Sequence, residues 1–494
     1  MALDDAACGK LSLMEPIGYQ CNSCGYCKND ETSQRTPNSR GSYYALTKSL
    51  CPKVYQMLLD RGWRRSGETL YIPDASRSCC PHYTIRLPAS DFTPNRDQRQ
   101  ALNRWNRHVL GEQYSIELTT KYPTSKADKK KANNTFDLIK TIHESEQKYL
   151  KTDIHPSAHR FEISLEEDTY SEEKFALFEN YQRNVHKEGP DDITRNGFRR
   201  FLCNSPLHRH KIDKTKQLGS YHQCYRLDGQ LVAMGVLDLL PHAVSAVYFM
   251  YHETLEQWSP GKLSALRETA LTLEGGYQYY YMGYYIHSCL KMRYKGHYRP
   301  QYVLDFISGQ WDLLDDEMRT LMEEKKFVSM SCERARKKSQ TGSKMALDGN
   351  ISTRAPEPPK DETKRDNNGD DIPEPEPEQN ESATTTTTTS SDPPILHPTP
   401  LAAMTSHLPL TSLSMPGILP LANLLSTLDL DTINVYFGAR GGGDGGVYEM
   451  QDIVSWQTGS PTNPRSLKGN VADFAAAVGV EVVKAVAVDF SPRR

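Results

Sequence analysis

The sequence predicts a mixed α/β fold, because strand-like and helix-like segments alternate through residues 161–330. Segments such as RFEIS, QLVAMGVLDLLP and AVSAVYFMYH are rich in the β-branched and aromatic residues that strands favour. A long helix is predicted after Ser171, a suitable N-cap that Glu172 and Glu173 follow in the first turn. The interleaving of the two kinds of segment predicts an α/β protein rather than an all-β or all-α one.

The same signals place further elements along the chain. A helix is expected near Pro52–Asp60 and a strand at YTIRL, Tyr83–Leu87. A second long helix, LSALRETALTLE, follows a turn at WSPGK, and the tyrosine run YQYYYMGYYI is expected to form a strand. In such a strand Tyr277 would share a face with Tyr279 and Tyr281. VEVVKAVAVDF, near the end of the sequence, alternates like one more strand.

Composition divides the chain into four regions. Residues 346–400 carry 4 Lys/Arg against 12 Asp/Glu together with runs of Pro and Thr, so they cannot bury enough apolar surface to fold. We therefore predict a Cys-rich region at 1–150, a mixed α/β region at 151–340, a disordered linker at 341–400 and a portion at 401–494 in which apolar periodicity resumes. Lys and Arg outnumber Asp and Glu before the linker, which permits a polyanionic partner without requiring one.

The cysteines point to metal rather than to disulfides. The start MALDDAACGK lacks the pattern of a secretory leader and no window is apolar enough for a membrane span, so we expect a cytoplasmic protein, with the nucleus as a second compartment. In a reducing compartment, clustered thiols are more naturally metal ligands. Cys24 and Cys27 form a CxxC turn, and Cys79 and Cys80 can join them only if the backbone turns there. A redox pair and unrelated buried thiols remain the alternatives, and Cys21 is a spare candidate.

Several motifs in one order resemble those of the eukaryotic arginyl-tRNA–protein transferases, densely over residues 20–330. The motifs are CGYCK, GWRRSG, CCPHYTIR, RFLC, SAVYFMYHE, WSPGKLSALRE, YYYMGYYIHSC and KMRYKGHY. The resemblance implies that 1–150 is a Cys-rich metal-binding domain and that 151–340 is an acetyltransferase-like (GNAT-like) catalytic domain, which the portion at 401–494 partly completes. It also implies transfer of arginine from arginyl-tRNA to the α-amine of proteins that begin with Asp, Glu or oxidised Cys, which marks them for ubiquitin-dependent degradation.

The same resemblance implies a cofactor and partners. Cys24, Cys27, Cys79 and Cys80 match the family's ligands for zinc or an iron–sulfur cluster, whereas Cys21 lies outside that pattern. Arginyl-tRNA and acceptor proteins are the expected partners, a ubiquitin ligase pathway lies downstream, and no membrane and no further nucleotide cofactor are expected. The region between KMRYK and PGILP departs from the family, because it is filled by PEPEPE and poly-Thr.

The chemistry of ester aminolysis suggests catalytic residues. The enzyme must hold a neutral amine against a carbonyl and support the oxyanion, for which a helix N-terminus is suited. Lys262 and Arg267 would add positive charge at the helix that follows WSPGK, unless they are ordinary helix-surface residues. Glu268 is the preferred partner for the guanidinium of the transferred arginine, and Asp238 is second. A loop cap or structural salt bridge is the competing interpretation of Asp238.

Two further groups of residues are candidates for substrate binding. Tyr279 and Tyr281, with Lys291 and Lys295 downstream, combine the stacking and charge that an unpaired tRNA end needs, although tyrosine strands are more often core. Arg64, Arg65 and Arg200 are candidates for the cation that selects acidic acceptors. The candidate residues also allow one rival function, that of a noncatalytic, metal-stabilised RNA-binding or adaptor protein. A CoA-dependent acetyltransferase is disfavoured because no Gly-rich pyrophosphate turn is evident.

Overall fold

Two β-sheets organise the first of the two units into which the chain divides, and the predicted mixed α/β class is confirmed. The computed structural model describes residues 10–27, 34–123, 125, 136–213, 215–348, 410–438 and 445–491. The first unit comprises Met1–Ser331 and Pro398–Arg494, and the second comprises Cys332–His397. The first unit thus contains residues on both sides of the predicted boundary at 150.

Strands and helices are numbered in chain order. The strands are β1 (Leu13–Asn22), β2 (Arg40–Ser49), β3 (Arg64–Ser66), β4 (Thr69–Pro73), β5 (Tyr83–Pro88), β6 (Phe161–Glu167), β7 (His210–Lys211), β8 (Gln217–Leu227), β9 (Gln230–Leu239), β10 (Ala243–Tyr251), β11 (Tyr279–Tyr281), β12 (Tyr284–Tyr285), β13 (Tyr302–Leu304), β14 (Trp311–Leu313), β15 (Asn434–Phe437), β16 (Gly446–Glu449) and β17 (Ala487–Asp489). The α-helices are α1 (Pro52–Asp60), α2 (Arg96–Lys121), α3 (Leu138–Ile142), α4 (Glu172–Tyr181), α5 (Arg195–Phe198), α6 (Pro260–Glu274), α7 (Leu290–Arg293), α8 (Asp316–Glu324), α9 (Met330–Asp348), α10 (Leu421–Thr427), α11 (Leu467–Val478) and α12 (Val480–Val483).

The larger sheet has the strand order β14-β13-β5-β11-β10-β9-β8-β6, with β12 paired to β5 and β7 to β8. Its long hairpin, β8 and β9, turns at Asp228 and Gly229, which both have positive φ, as a two-residue hairpin turn requires. β10 and β11 are parallel neighbours joined through α6. Ala265 and Ala270 of α6 pack against Val244 and Tyr280, so the helix covers one face of the central strands.

The smaller sheet has the order β16-β15-β17-β1-β2-β4-β3. β17 lies between β15 and β1 and is parallel to both. The nearly fully buried helix α11 packs beside this sheet, with Val471 and Phe474 in the same core as Tyr43 and Trp63. Residues from both sides of the predicted linker therefore build one sheet and one core.

Two local predictions are wrong in part. Val480–Val483 is helical, and only Ala487–Asp489 of the predicted strand is extended, because Gly479 at φ 88° separates α11 from a second short helix. The tyrosine strand begins only at Tyr279, so Tyr277 packs in the core that contains Tyr280 rather than on the face of Tyr281.

Most of the predicted linker lies outside the described residues. The structure describes α9 up to Asp348, and residues 349–400 are not among the described ranges. Within the described ranges, no helix combines the length and apolarity that a bilayer crossing requires.

Candidate active site and metal centre

Four thiols converge where β1 ends and before β5 begins. Cys24 and Cys27 follow β1, Cys79 and Cys80 precede β5, and the four sulfurs lie within 4.8 Å of one another. The Sγ atoms of Cys27 and Cys79 are 3.4 Å apart, and those of Cys79 and Cys80 are 3.9 Å apart. Cys21 lies within β1, opposite Gly41, and is not part of this group. The predicted clustering of these four cysteines is confirmed.

Ser39 connects the two cysteine segments. The amide of Cys24 donates to Ser39 Oγ at 3.0 Å, and the amide of Cys79 donates to the Ser39 carbonyl at 2.8 Å. The backbone bends at Cys79 and Cys80 instead of continuing as a strand. The bend brings two adjacent side chains to one centre, as a shared ligand set requires.

The electrostatics of the cluster favour a bound cation. Burial and the neighbouring thiol of Cys79 raise the pKa of Cys27 to about 11, and burial raises that of Cys80. Burial acts in the same direction on Cys24, but hydrogen bonds from the amides of Tyr26 and Cys27 outweigh it and lower its pKa. Crowded thiols resist ionisation unless a metal ion compensates the charge. Four convergent sulfurs form the donor set of a tetrahedral thiolate site, so the cluster can hold a metal ion.

The parallel strands β10 and β11 part after a short pairing, and the place where they part is called the cleft below. The strands pair through Ser245 and Tyr281, after which β10 has a bulge between Ala246 and Tyr248. Gly283, at φ 77°, redirects the chain so that β12 pairs with β5 alone. The bulge releases backbone from the sheet ladder, and the buried Ser245 hydroxyl has no hydrogen-bond partner within the described residues. A buried polar group without a partner thus lies where the strands part.

Lys295 lies at this cleft. Its Nζ donates to the Tyr284 carbonyl at 2.9 Å, and a Cβ placed on Gly283 would lie 3.6 Å from Nζ. Burial and the nearby Arg64 lower the pKa of Lys295 to about 8. A predicted substrate-binding lysine is thus placed beside the gap between the strands.

Glu268 is a buried carboxyl without a cation directly bound to it among the described residues. It is 1% exposed, and its two oxygens accept hydrogen bonds from the hydroxyls of Ser264 on α6 and Tyr280 on β11. Burial raises its pKa to about 7, although both hydroxyls and the charge of Lys295 act in the opposite direction. A desolvated carboxyl of this kind suits the predicted guanidinium partner, and that role stays a prediction.

Asp238 and Arg65 are paired with each other. Asp238 accepts from Arg65 Nε at 2.7 Å and Nη2 at 2.6 Å, and Arg65 Nη2 also donates to Ser220. The side chains are 0% and 2% exposed. The bidentate pair joins β9 of the larger sheet to β3 of the smaller one. The structural salt bridge considered for Asp238 is therefore the arrangement found, and neither side chain has its charge available for a substrate.

Lys262 and Arg267 also have carboxylate partners. Lys262 Nζ lies 2.6 Å from an oxygen of the exposed Asp97. Arg267 is buried, and its guanidinium lies 2.9 Å from Glu274 and 3.5 Å from Glu146. Lys262 therefore forms a surface ion pair, which is the helix-surface alternative considered for it. Arg267 instead belongs to a buried network of ion pairs beside α6.

Of the remaining candidates, Arg200 and Lys291 are exposed. Tyr281 is fully buried, and its hydroxyl donates to Asp60 at the end of α1. Arg64 is buried with its guanidinium carbon 5.6 Å from the Tyr281 ring centre. The structure thus brings Arg64, Tyr281 and Lys295 to one region and leaves Arg200 and Lys291 on the surface.

Tyr279 lines an open groove of about 620 Å³. Arg86 of β5 lies between two aromatic rings there, 4.1 Å from the centre of Tyr279 and 3.9 Å from that of Trp311. Tyr277 and Tyr302 also line the groove. Sequence reasoning missed Arg86 and Trp311, although a single Arg between the apolar residues of YTIRL was a signal of a functional face.

Comparison with known proteins identifies the family. The model of the N-terminal region of arginine-tRNA-protein transferases matches residues 22–100, and that of the C-terminal region matches residues 173–305. Arginyl-tRNA–protein transferase 1 of Saccharomyces cerevisiae is 31% identical over 294 residues, covering 56% of this chain and 53% of that protein. Arginyl-tRNA–protein transferase 1 of Arabidopsis thaliana is 25% identical, and the match covers 66% of this chain and 77% of that protein. An aspartate/glutamate leucyltransferase of Pseudomonas fluorescens is 29% identical, and the match covers 62% of this chain and 99% of that protein.

The matched regions contain the cysteine cluster, the cleft and Glu268. An α/β protein with a thiol centre and a cleft between parted strands is thus similar, in these regions, to the aminoacyl-tRNA-dependent transferases. The chain belongs to the arginine-tRNA–protein transferase family. The match spans about half the length of the yeast relative and most of the others.

Proposed function

We propose that this protein transfers arginine from arginyl-tRNA to the α-amino group of acceptor proteins that begin with Asp, Glu or oxidised Cys. The observation that carries the proposal is the cleft between β10 and β11, which lies within the region matched by the family model. Parallel strands that part at a bulge, with a crossover helix between them, also support a GNAT-like acyltransferase fold.

The reaction needs little beyond positioning. The acceptor's α-amino nitrogen forms an amide bond with the arginyl carbonyl carbon, the ester bond to the terminal ribose breaks, and the proton released by the amine ends on the departing ribose hydroxyl. An α-amine has a pKa near 8, so a useful neutral fraction exists without a strong base. Backbone freed at the bulge after Ser245 is suited to polarising the carbonyl, and Lys295 contributes positive charge beside it.

The groove around Arg86 supports binding of the unpaired end of tRNA. Tyr279 and Trp311 offer stacking surfaces, and the guanidinium between them offers charge to a phosphate. This proposal keeps the predicted role of Tyr279 and adds Arg86 and Trp311 to it. Lys291, which is exposed, remains a candidate for contact with the tRNA backbone.

The cysteine cluster is proposed to bind a single tetrahedral ion, with zinc as the first candidate. Zinc–sulfur bonds of about 2.3 Å place the sulfurs about 3.8 Å apart, and the four thiols lie within 4.8 Å of one another. An iron–sulfur cluster distributes its thiolates over several irons, which separates the sulfurs further. The bound ion would supply a structural cross-link between the loop after β1 and the segment before β5.

The acceptor class and cellular role complete the proposal. The bacterial relatives are named for aspartate and glutamate although they transfer leucine, which supports acidic N-termini as the shared acceptor. We propose that the arginylated product enters the ubiquitin-dependent degradation pathway and that the protein acts in the cytoplasm, with the nucleus as a second compartment.

We expect the purified protein to transfer labelled arginine from arginyl-tRNA to a peptide that begins with Asp. The same peptide with an acetylated α-amine is the matched control and should accept nothing, because its nitrogen can no longer attack the ester. Binding of tRNA without transfer would replace the proposal with the noncatalytic RNA-binding alternative.

We expect Cys80→Ser to lose the metal while Cys21→Ser retains it. Cys80 belongs to the convergent four thiols and Cys21 does not. Removing one of four ligands weakens a tetrahedral thiolate site, whereas the Cys21 change alters a side chain within β1. Metal content per chain, measured by elemental analysis with iron and zinc determined separately, checks both the ligand set and the ion. Equal metal content in the two variants would contradict the assignment.

A further inference from the structure

Arg64 is a buried cation with a free binding edge. It is 5% exposed, and the hydrogen bond found for it runs from Nη1 to the carbonyl of its neighbour Trp63 at 2.9 Å. Its Nε and Nη2 are buried and have no hydrogen-bond partner, and no carboxylate pairs with the guanidinium among the residues that the structure describes. Leaving such groups unpaired is costly, so this edge indicates a ligand that supplies oxygen atoms.

Two further cations, Lys295 and Arg40, lie near the tyrosine rings around Arg64. The Arg64 guanidinium carbon lies 5.1 Å from the ring centre of Tyr284, whose carbonyl accepts from Lys295. Tyr71 lies 6.2 Å from the Tyr284 ring, and the Arg40 guanidinium carbon lies 5.4 Å from the Tyr71 ring. The Nε of Arg40 is also buried without a partner. Arg64 is buried and the other two cations are half-buried, so the positive charge concentrated here favours a bound anion.

We propose that Arg64, assisted by Lys295, binds the side-chain carboxylate of the acceptor protein's first residue. Nε and Nη2 form the edge of a guanidinium that engages a carboxylate through two parallel hydrogen bonds. Oxidised Cys presents similar oxygens, so one site would serve all three acceptors of the proposed function, on which this inference rests.

The position of the site agrees with this ligand. Lys295 lies both at the Tyr284 carbonyl and beside Gly283, where β10 and β11 have parted. A carboxylate held there would leave the α-amine of the same residue one or two methylene groups away, facing the cleft. A tRNA phosphate is the other source of anionic oxygens, but the burial of Arg64 favours the smaller carboxylate over a polymer backbone.

The test compares peptides that begin with Asp and with Asn in wild-type protein and in Arg64→Gln. We expect kcat/KM for the Asp peptide to fall about thirtyfold or more, mainly through KM, because the variant leaves a carboxylate without its cation. Transfer to the Asn peptide and the Kd for arginyl-tRNA should change by less than about twofold. Arg160→Gln, which removes an exposed arginine paired with Glu162, is the matched control and should change neither peptide.

The results that would contradict the proposal can be told apart from one another. An equal loss for both peptides would assign Arg64 a structural role, and a weaker Kd for arginyl-tRNA would assign it to a phosphate, so either result overturns the inference. If Arg64→Gln does not fold, Lys295→Met replaces it. Because Lys295 also lies beside the arginyl carbonyl, transfer to both peptides should fall, so the ratio of kcat/KM for the Asp peptide to that for the Asn peptide is compared, and an unchanged ratio overturns the inference. If wild-type protein transfers no arginine, the proposed function fails, whereas calorimetric binding of the Asp and Asn peptides still tests the site separately.

Discussion

We expect Asp238→Ala to lower the free energy of unfolding by about 3–5 kcal/mol, because it leaves the Arg65 guanidinium buried and unpaired. The pair is bidentate, with bonds of 2.7 and 2.6 Å, and both side chains are almost fully buried. It also connects the two sheets, so its loss affects the contact between them. Urea denaturation followed by circular dichroism measures the change.

Two comparisons separate this effect from a general sensitivity to mutation. Glu179→Ala removes a partly exposed pair with Arg183 and should cost no more than about 0.5 kcal/mol. The double variant Arg65→Met/Asp238→Leu should recover much of the loss, because it removes both charges and keeps apolar volume. A cost below about 1 kcal/mol for Asp238→Ala would contradict the buried-pair account.

Glu268→Gln is expected to reduce arginine transfer by thirtyfold to several thousandfold while the protein remains folded. Truncating one partner of a desolvated guanidinium–carboxylate pair costs about 2–5 kcal/mol, whereas a neutral hydrogen-bonding role is worth about 1 kcal/mol. The amide retains the size of the carboxyl and can still contact the hydroxyls of Ser264 and Tyr280, but it carries no charge for the arginyl group. Transfer kinetics with saturating acceptor peptide measure the loss.

The pH dependence gives a second measurement for Glu268. Its pKa is raised to about 7, so wild-type kcat/KM for arginyl-tRNA should fall as the pH drops below about 7, when the carboxyl becomes protonated and cannot pair with a guanidinium. Glu268→Gln should lack this contribution and keep only the shallower decline that protonation of the acceptor amine causes in both proteins.

Stability should depend on pH in the opposite sense. The raised pKa means that the fold favours the protonated form, so wild-type stability should decrease as the pH rises from the unfolded value near 4.5 through 7. Glu268→Gln has no carboxyl to ionise at this position, so its free energy of unfolding should not show this decrease. If Glu268→Gln transfers arginine within about twofold of wild type and shows the same kinetic pH profile, Glu268 only holds α6 against the sheet.

The sequence predicted those elements whose formation depends on residues close together in the chain. Helix α1, strand β10 and the N-cap at Ser171 follow from caps, periodicity and residue type close in sequence, and all are present. The cysteine cluster was also predictable, because a CxxC turn and a vicinal pair before a proline restrict how thiols can meet.

Long-range partners were not predictable in the same way. Arg65 and Asp238 were assigned to different substrates from their chemistry alone, yet they lie 173 positions apart in sequence and satisfy each other. The tyrosine run was expected to form one strand, but Gly283 breaks it and creates the cleft. Such features depend on which strands become neighbours, and a single sequence does not reveal that.

The place of β17 between β1 and β15 has a consequence for how the chain is made. The strand that leads into the cysteine cluster pairs at Leu13 and Met14 with Ala487 and Val488, which are translated about 470 residues later. At roughly 5–20 residues per second, the ribosome needs about half a minute to a minute and a half to deliver that partner. Throughout this interval one edge of β1 lacks its native neighbour, and an open edge is a template for wrong pairing. Nascent chains of this protein should therefore depend on chaperones until β17 has been made, and chains interrupted before β17 should be removed rather than accumulate as folded fragments.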